Sequence, residues 1–195
     1  MTSGFFAMLS RMKYINRWGL MRGNRAENLS EHSLDTAVLA HALAVIRNRR
    51  FGGSVDPAKA ALLALYHDAH EIITGDLPTP VKYLNNEITG AYKKVEHAAA
   101  NRLLAMLPND LLPDYAPLLL PDEDGQRELL TLVKAADKLS ALIKCIEEES
   151  SGNGEFICAR DTTLRTLLGL ELPEVTVFLE QFLPAYHLTL DQLNT

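Results

Sequence analysis

At 195 residues the chain has room for one domain with a substantial core and too little for two, and 47% hydrophobic content without a run of eighteen apolar residues favours a soluble protein over a membrane one. A formal net charge of −6, from 19 Lys and Arg against 25 Asp and Glu, leaves no basic patch of nucleic-acid size. Two cysteines, Cys145 and Cys158, make a poor start for a disulfide scaffold and fit a reducing, cytoplasmic setting.

Residues 1–26 carry Arg11, Lys13, Arg17, Arg22 and Arg25 and no acid. That bias suits a transit peptide or, in the preferred reading, a folded segment whose cations face an anionic substrate; no apolar h-region follows the first charges, which argues against a secretory signal. Phe5, Phe6, Leu9, Met12 and Ile15 fall on helical spacing, and the pattern breaks at Trp18-Gly19, so a first helix should end where Arg17 sits. Asn28 or Ser30 then caps a second helix, on which Leu34, Val38, His41 and Val45 recur to about Arg50, with His32 in its first turn. After a Gly-rich loop, Asp56-Pro57 is an N-cap followed by proline at the first helical position, and the helix it launches should run through His67 and Asp68 to Gly75.

The stretch Gly75-Asp-Leu-Pro-Thr-Pro80 predicts a stiff loop, because residues before proline are pushed to extended conformations. Ile88, Tyr92, Val95, Ala99 and Leu103 mark a long amphipathic helix stopping at Pro108, followed by an acidic, proline-punctuated segment, 107–125, in which short turns are expected. Leu129, Leu132, Val133, Ala136, Ser140 and Ile143 define the next helix, with Asp137 bordering its apolar face. Two more helices follow, one with Ile157, Leu164 and Leu168 and one with Val175, Phe178, Leu179 and Phe182. No stretch alternates as a strand, so the predicted fold class is all-α, a single helical bundle over 1–195.

Chemistry concentrates at His67 and Asp68, where an apolar helix suddenly carries an imidazole beside a carboxylate. That pair suits a divalent cation, yet two adjacent residues cannot close a coordination shell. His32, in Ser30-Glu-His-Ser33, and Asp137, in Val133-Lys-Ala-Ala-Asp-Lys-Leu139, are the candidates to complete it, each polar on an otherwise core-facing stripe. Taken singly, His32 is more often a core or capping histidine and Asp137 a helix-face carboxylate; the combination carries the weight. Glu71, one helical turn from His67, is the candidate general acid or base. Alone it would be read as a solvent-facing helix glutamate.

The order His32…His67-Asp68…Asp137 resembles that of the HD-domain metal-dependent phosphohydrolases. Ile15-Asn-Arg-Trp18, Ser30-Glu-His-Ser33, Tyr66-His-Asp-Ala69, the stretch Thr74 to Lys82 and Phe182-Leu-Pro-Ala-Tyr-His-Leu188 sharpen the likeness, which covers nearly the whole chain, to bacterial HD-domain 5'-deoxynucleotidases. The resemblance implies one divalent metal held by His32, His67, Asp68 and Asp137. Imidazole suits Zn, Co, Ni and Cu while carboxylate also suits Mn and Mg, and an open position for water favours Mn or Co over structural Zn. It implies that Glu71 is catalytic and that Arg17 binds phosphate, for which guanidinium is a planar bidentate partner.

The likeness further implies that Trp18 lies against the sugar and disfavours a 2'-hydroxyl, and that Asp76, Leu77, Pro78 and Thr79 form a sugar-binding loop in which Asp76 accepts from the 3'-hydroxyl. His32, Asp68 and Asp137 then also border the substrate. The plain alternatives are a surface arginine, a core tryptophan and an Asp-bearing turn. Lys82 is either a charge near substrate or an ordinary surface lysine; His41, His97 and His187 read as helix-face or core histidines, and His70 as a neighbour of the ligands. A homodimer is implied by the family alone. Two competing readings keep the helical metal site: an HD phosphohydrolase acting on a cyclic nucleotide, triphosphate or alarmone, and a non-catalytic metal-stabilised binding module. Intact Arg17 and Glu71 argue against the second.

Overall fold

The computed structural model describes residues 2–82 and 84–194. Eleven α-helices are described: α1 (Phe5–Leu9), α2 (Leu29–Phe51), α3 (Pro57–Tyr66), α4 (Glu71–Thr74), α5 (Thr79–Lys82), α6 (Asn86–Leu104), α7 (Leu112–Leu119), α8 (Arg127–Ser150), α9 (Ile157–Leu168), α10 (Pro173–Gln181) and α11 (Leu190–Leu193). Tight 3₁₀ turns occupy Ser10–Tyr14, Gly154–Phe156 and Leu183–His187. The fold is all-α; among the described residues its one strand-like feature is an isolated antiparallel bridge between Asn16 and Asn28.

Local chemistry explains where the long helices begin. Asn28 accepts from the amides of Ser30 and Glu31 while Glu31 reaches back to the Asn28 amide, a complete capping box at the start of α2. Asp56 caps the amides of Ala58 and Lys59 at the start of α3, with Pro57 at its first position. At the far end of α2, Gly52 takes a left-handed φ of 69°, which a side chain would resist.

The core follows from the apolar stripes. α2 packs against α3, α8 and α10, and α3 against α8, so Leu39, Leu43, Leu63, Leu132, Leu139 and Leu142 meet in one buried cluster. A second cluster gathers Phe5, Leu103, Leu104 and Leu119 around Ala69, and so supports the turn that follows α3. The start of α2, the end of α3 and the middle of α8 therefore converge.

Four local expectations are corrected. The first helix does not reach Arg17: it ends by Tyr14, and the amide of Arg17 instead bonds the carbonyl of Glu27 at 2.9 Å while that of Leu29 bonds the carbonyl of Ile15 at 2.9 Å. The helix carrying His67 does not run unbroken to Gly75. In a continued helix the Ala64 carbonyl would accept from the amide of Asp68; here the side chain of His67 takes it through Nδ1 at 2.6 Å, and the chain proceeds by three-residue bonds, Glu71 N–H to Asp68 C=O at 2.9 Å among them. The 75–80 stretch is extended only to Pro78, because proline at Thr79-Pro80 is tolerated in the first turn of α5. The 107–125 segment holds a full helix, α7, with Pro117 inside it, which hydrophobic packing against Phe5 and Tyr66 through Tyr115 supports.

One buried ion pair anchors the loop leading into the site. Glu148, 2% exposed on α8, accepts from Lys144 Nζ at 2.5 Å, from the amides of Asn24 and Arg25 at 2.7 and 3.1 Å, and from Asn153 at 2.9 Å. Burial pushes its carboxyl up, but these donors outweigh it and hold the group at about 2 against an ordinary 4.5. Its stabilisation is therefore present above about pH 4.5 and is lost as pH falls toward 2. Glu148→Ala, which strands Lys144 in the interior, should lower stability by about 3 kcal/mol at neutral pH. Denaturant titration checks this, and an unchanged midpoint would refute it.

Candidate active site

His32 enters from the first turn of α2 and is fully buried. Its Nδ1 lies 3.1 Å from Ser140 Oγ on α8, and its Nε2 lies 3.2 Å from Asp137 Oδ1 and 3.6 Å from Asp68 Oδ2. His67 sits just past α3, its ring centroid 5.3 Å from that of His32. Because a carbonyl can only accept, the 2.6 Å contact with Ala64 places the proton of His67 on Nδ1 and leaves Nε2 facing Asp68 Oδ2 at 3.0 Å.

Four groups suited to a cation thus converge, and His67 Nε2 is buried without a hydrogen-bond partner. Two lone-pair donors facing each other at 3.0 Å call for a positive charge between them, either a proton or a metal ion. In the protein alone the proton fills that role: burial would lower the His67 pKa, but Asp68 and then Asp137 raise it to about 9. Burial raises Asp68 and Asp137 too, yet His67 holds the first, and His32 with Lys138 the second, well below the usual carboxylate range. Ligand atoms of His32, His67 and Asp68 lie within 4.8 Å of one another, and Asp137 adjoins through His32. Two imidazoles and two carboxylates fit a divalent metal, and Ser140 and the Ala64 carbonyl orient the rings from behind.

Glu71 opens α4. The three-residue turn, rather than an α-helical face shared with His67, aligns it with Asp68, since residues i and i+3 eclipse in a 3₁₀ turn. It is 4% exposed, and its Oε2 is buried without a partner. Burial first, then the charges of Asp68 and Asp76, push its carboxyl up to about 9, so it carries a proton at neutral pH. Asp68, His70 and Glu71 also bring ligand atoms within 4.8 Å of one another. His70 turns toward Glu96 as well, its Nε2 3.5 Å from Glu96 Oε1, and Lys82 pairs with the same carboxylate at 2.6 Å.

Arg17 is held in a bend just after the bridge residue Asn16, ahead of α2. Its NH1 lies 3.7 Å from Asp68 Oδ2, while its Nε, 3.6 Å from Glu27 Oε2, is buried without a hydrogen bond. Desolvation would lower its pKa, but Asp137, Glu27, Asp68 and Asp76 outweigh it, keeping the guanidinium charged. Trp18 donates from Nε1 to Glu27 Oε2 at 2.5 Å and rests 5.3 Å from the Phe156 ring. Asp76, Leu77 and Pro78 are half-buried between α4 and α5; burial raises the Asp76 carboxyl while Arg17 lowers it, which places Asp76 in the same electrostatic field. Thr79 is exposed at the first position of α5, and His41, His97 and His187 are exposed elsewhere.

Glu27, Lys138, Ser140 and Glu96 also contact the site residues. Lys138 pairs with Asp137 at 3.0 Å and was adjacent to it in sequence, and Ser140 shares its helical face, so both carried a local signal. Glu27 and Glu96 carried none, since their partners lie on other elements.

Known proteins resemble this chain over almost its whole length. A family model described as 5'-deoxynucleotidase YfbR-like matches residues 4–186. A 5'-deoxynucleotidase of Cronobacter sakazakii is 52% identical and one of Erwinia tasmaniensis 51% identical, each over 98% of this chain and 96% of the relative. Among solved structures, an HD-domain phosphohydrolase from Listeria innocua superposes with a TM-score of 0.81 at 25% identity, covering 98% of this chain and 92% of the other.

Proposed function

We infer, from the premise that this chain belongs to the 5'-deoxynucleotidase YfbR-like family, how its own residues carry out that activity. The protein is a phosphoric monoester hydrolase of HD-domain fold that converts deoxyribonucleoside 5'-monophosphates to deoxynucleoside and phosphate. One observation supports the residue assignment above others: the buried atoms Arg17 Nε and Glu71 Oε2, which make no hydrogen bond, and His67 Nε2, which faces a carboxylate oxygen at 3.0 Å, belong to groups clustered around Asp68. Such atoms are costly to bury unless something meets them.

His32, His67, Asp68 and Asp137 would hold the divalent ion, for which their mixed donors make Mn or Co our choice. When bound, that ion supplies Lewis acidity toward phosphoryl oxygen and makes water acidic near neutral pH, from ~16 toward ~7. Arg17 takes the phosphate oxygens with its unspent Nε and neighbouring N–H groups, and its charge offsets that of the phosphate. Glu71, protonated at rest, gives its proton to the departing 5'-oxygen as the P–O bond breaks, and recovers one from the water that forms the new P–O bond. Trp18 presents its ring to the sugar, and Asp76, with Leu77, Pro78 and Thr79 around it, accepts from the 3'-hydroxyl. We read the chain as one domain and the protein as a homodimer, to which the exposed Leu34 and Val38 on α2 lend an apolar face. We place it in the cytoplasm, consistent with free Cys145 and Cys158; among the described residues no helix is long and apolar enough to cross a membrane.

Protein stripped of metal should lose phosphate release and regain it with Co or Mn. The reloaded enzyme should prefer deoxyribo- over ribonucleoside 5'-monophosphates by roughly 10- to 100-fold in kcat/KM, the range an apolar wall achieves against an added hydroxyl. Equal hydrolysis of both sugars would remove the roles given to Trp18 and Asp76, and hydrolysis indifferent to metal would remove the ligand set.

A further inference from the structure

We propose that Glu27 is a positioning residue that sets sugar selectivity, by consuming the single hydrogen-bond donor of Trp18 and locking its ring. This rests on the reading that Trp18 faces the sugar.

Glu27 is a side chain only 11% exposed, and it touches three parts of the site at once. Its Oε2 accepts the indole N–H at 2.5 Å and lies 3.6 Å from Arg17 Nε; its Oε1 lies 3.8 Å from His32 Nδ1. Its own carbonyl accepts the amide of Arg17 at 2.9 Å, so backbone and side chain grip the Arg17-Trp18 pair together. Trp18 itself sits at φ 60°, a left-handed conformation that a bulky side chain adopts only when its surroundings over-determine it. The hydrogen bond to Glu27 and the ring contact with Phe156 are those surroundings.

Indole has one donor and no acceptor. With that donor committed to Glu27, the ring offers a substrate only its apolar surface, and a ribose 2'-hydroxyl placed there loses its water without gaining a partner. Freed from Glu27, the indole can turn, and its N–H becomes available to the hydroxyl it would otherwise exclude. Glu27 therefore acts on the difference between the two sugars and not on the reacting phosphate.

The test compares wild type with Glu27→Ala, Glu27→Asp and Glu27→Gln on 2'-deoxyadenosine and adenosine 5'-monophosphate. Emission of Trp18, the only tryptophan in the chain, is recorded without substrate. In Glu27→Ala the deoxy-to-ribo ratio of kcat/KM should fall roughly tenfold and the emission maximum should shift. Glu27→Gln keeps an acceptor oxygen at the same reach and should retain most of both. Should the alanine variant not fold, Glu27→Asp, one methylene too short to hold the indole, should show the same fall and shift. Rates that drop equally for both sugars, or an unmoved emission in Ala and Asp variants, would overturn the assignment. A wild type that does not distinguish the sugars would instead overturn the reading of Trp18 on which it rests.

Discussion

Glu71→Gln is expected to lower kcat by roughly 10²- to 10⁴-fold while metal content and melting temperature stay near those of wild type. The amide keeps the size and the hydrogen-bonding capacity of the protonated acid but has no proton to give to the leaving oxygen. The environment makes Glu71 an acid: burial, then Asp68 and Asp76, raise its carboxyl to about 9, against the smaller opposing effects of Lys82 and Arg17. Activity should accordingly fall as pH rises through the pKa of this group. That alkaline limb belongs at or below about 9, because a bound cation beside Asp68 favours the ionised form, and it should vanish from the residual activity of Glu71→Gln. Steady-state kinetics across pH with elemental analysis of the purified variant check both points. Unchanged kcat would remove the proton-transfer role. Loss of metal together with activity would make Glu71 a ligand instead, in the company of Asp68 and His70.

Arg17→Ala is expected to reduce kcat/KM by roughly 10²- to 10³-fold, the cost of removing one preorganised charge-stabilising group from a site of this kind. The reason is the state of the side chain before substrate arrives. It is buried and charged, it stands 3.7 Å from Asp68, and its Nε is without a hydrogen bond. A guanidinium oriented in advance loses little freedom when phosphate binds. Arg17→Lys should recover little, because a lysine ammonium is a point charge that cannot present the planar fork. Retention of full kcat/KM in the lysine variant would show that net charge alone suffices. An alanine variant with intact kinetics would move phosphate recognition elsewhere. Denaturation midpoints measured alongside separate these outcomes from loss of fold, since Glu27 and Asp68 both lie near Arg17.

Much of the fold was legible in short-range chemistry. Asn28, one of two cap candidates with Ser30, and Asp56 announced the starts of α2 and α3 because a side-chain acceptor two or three residues before an apolar stripe satisfies amides that the helix itself cannot. Apolar periodicity located α6, α8, α9 and α10 because a helix that buries one face must repeat with its own pitch. The candidate ligands were equally visible, as polar residues where the stripe required apolar ones. What failed was also local in appearance. A proline inside 112–119 argues for turns until the packing of Tyr115 and Leu119 against Phe5 is known. Apolar spacing through 57–74 argues for one helix until the imidazole of His67 is seen to occupy the Ala64 carbonyl.

Caps and periodicity act within a few residues along the chain, and so were enough for the helical class, the starts of the long helices and the residue types able to hold a cation. Tertiary packing decided that α2, the end of α3 and the middle of α8 bring His32 Nε2 within 3 to 4 Å of carboxylate oxygens of Asp68 and Asp137. It also decided that Glu71 lies in a buried, negatively charged setting that keeps its proton, and that Glu27 joins Arg17, Trp18 and His32. Burial and Coulomb interactions depend on distance in space, and positions such as 27, 68, 71 and 137 acquire those distances only when the helices pack.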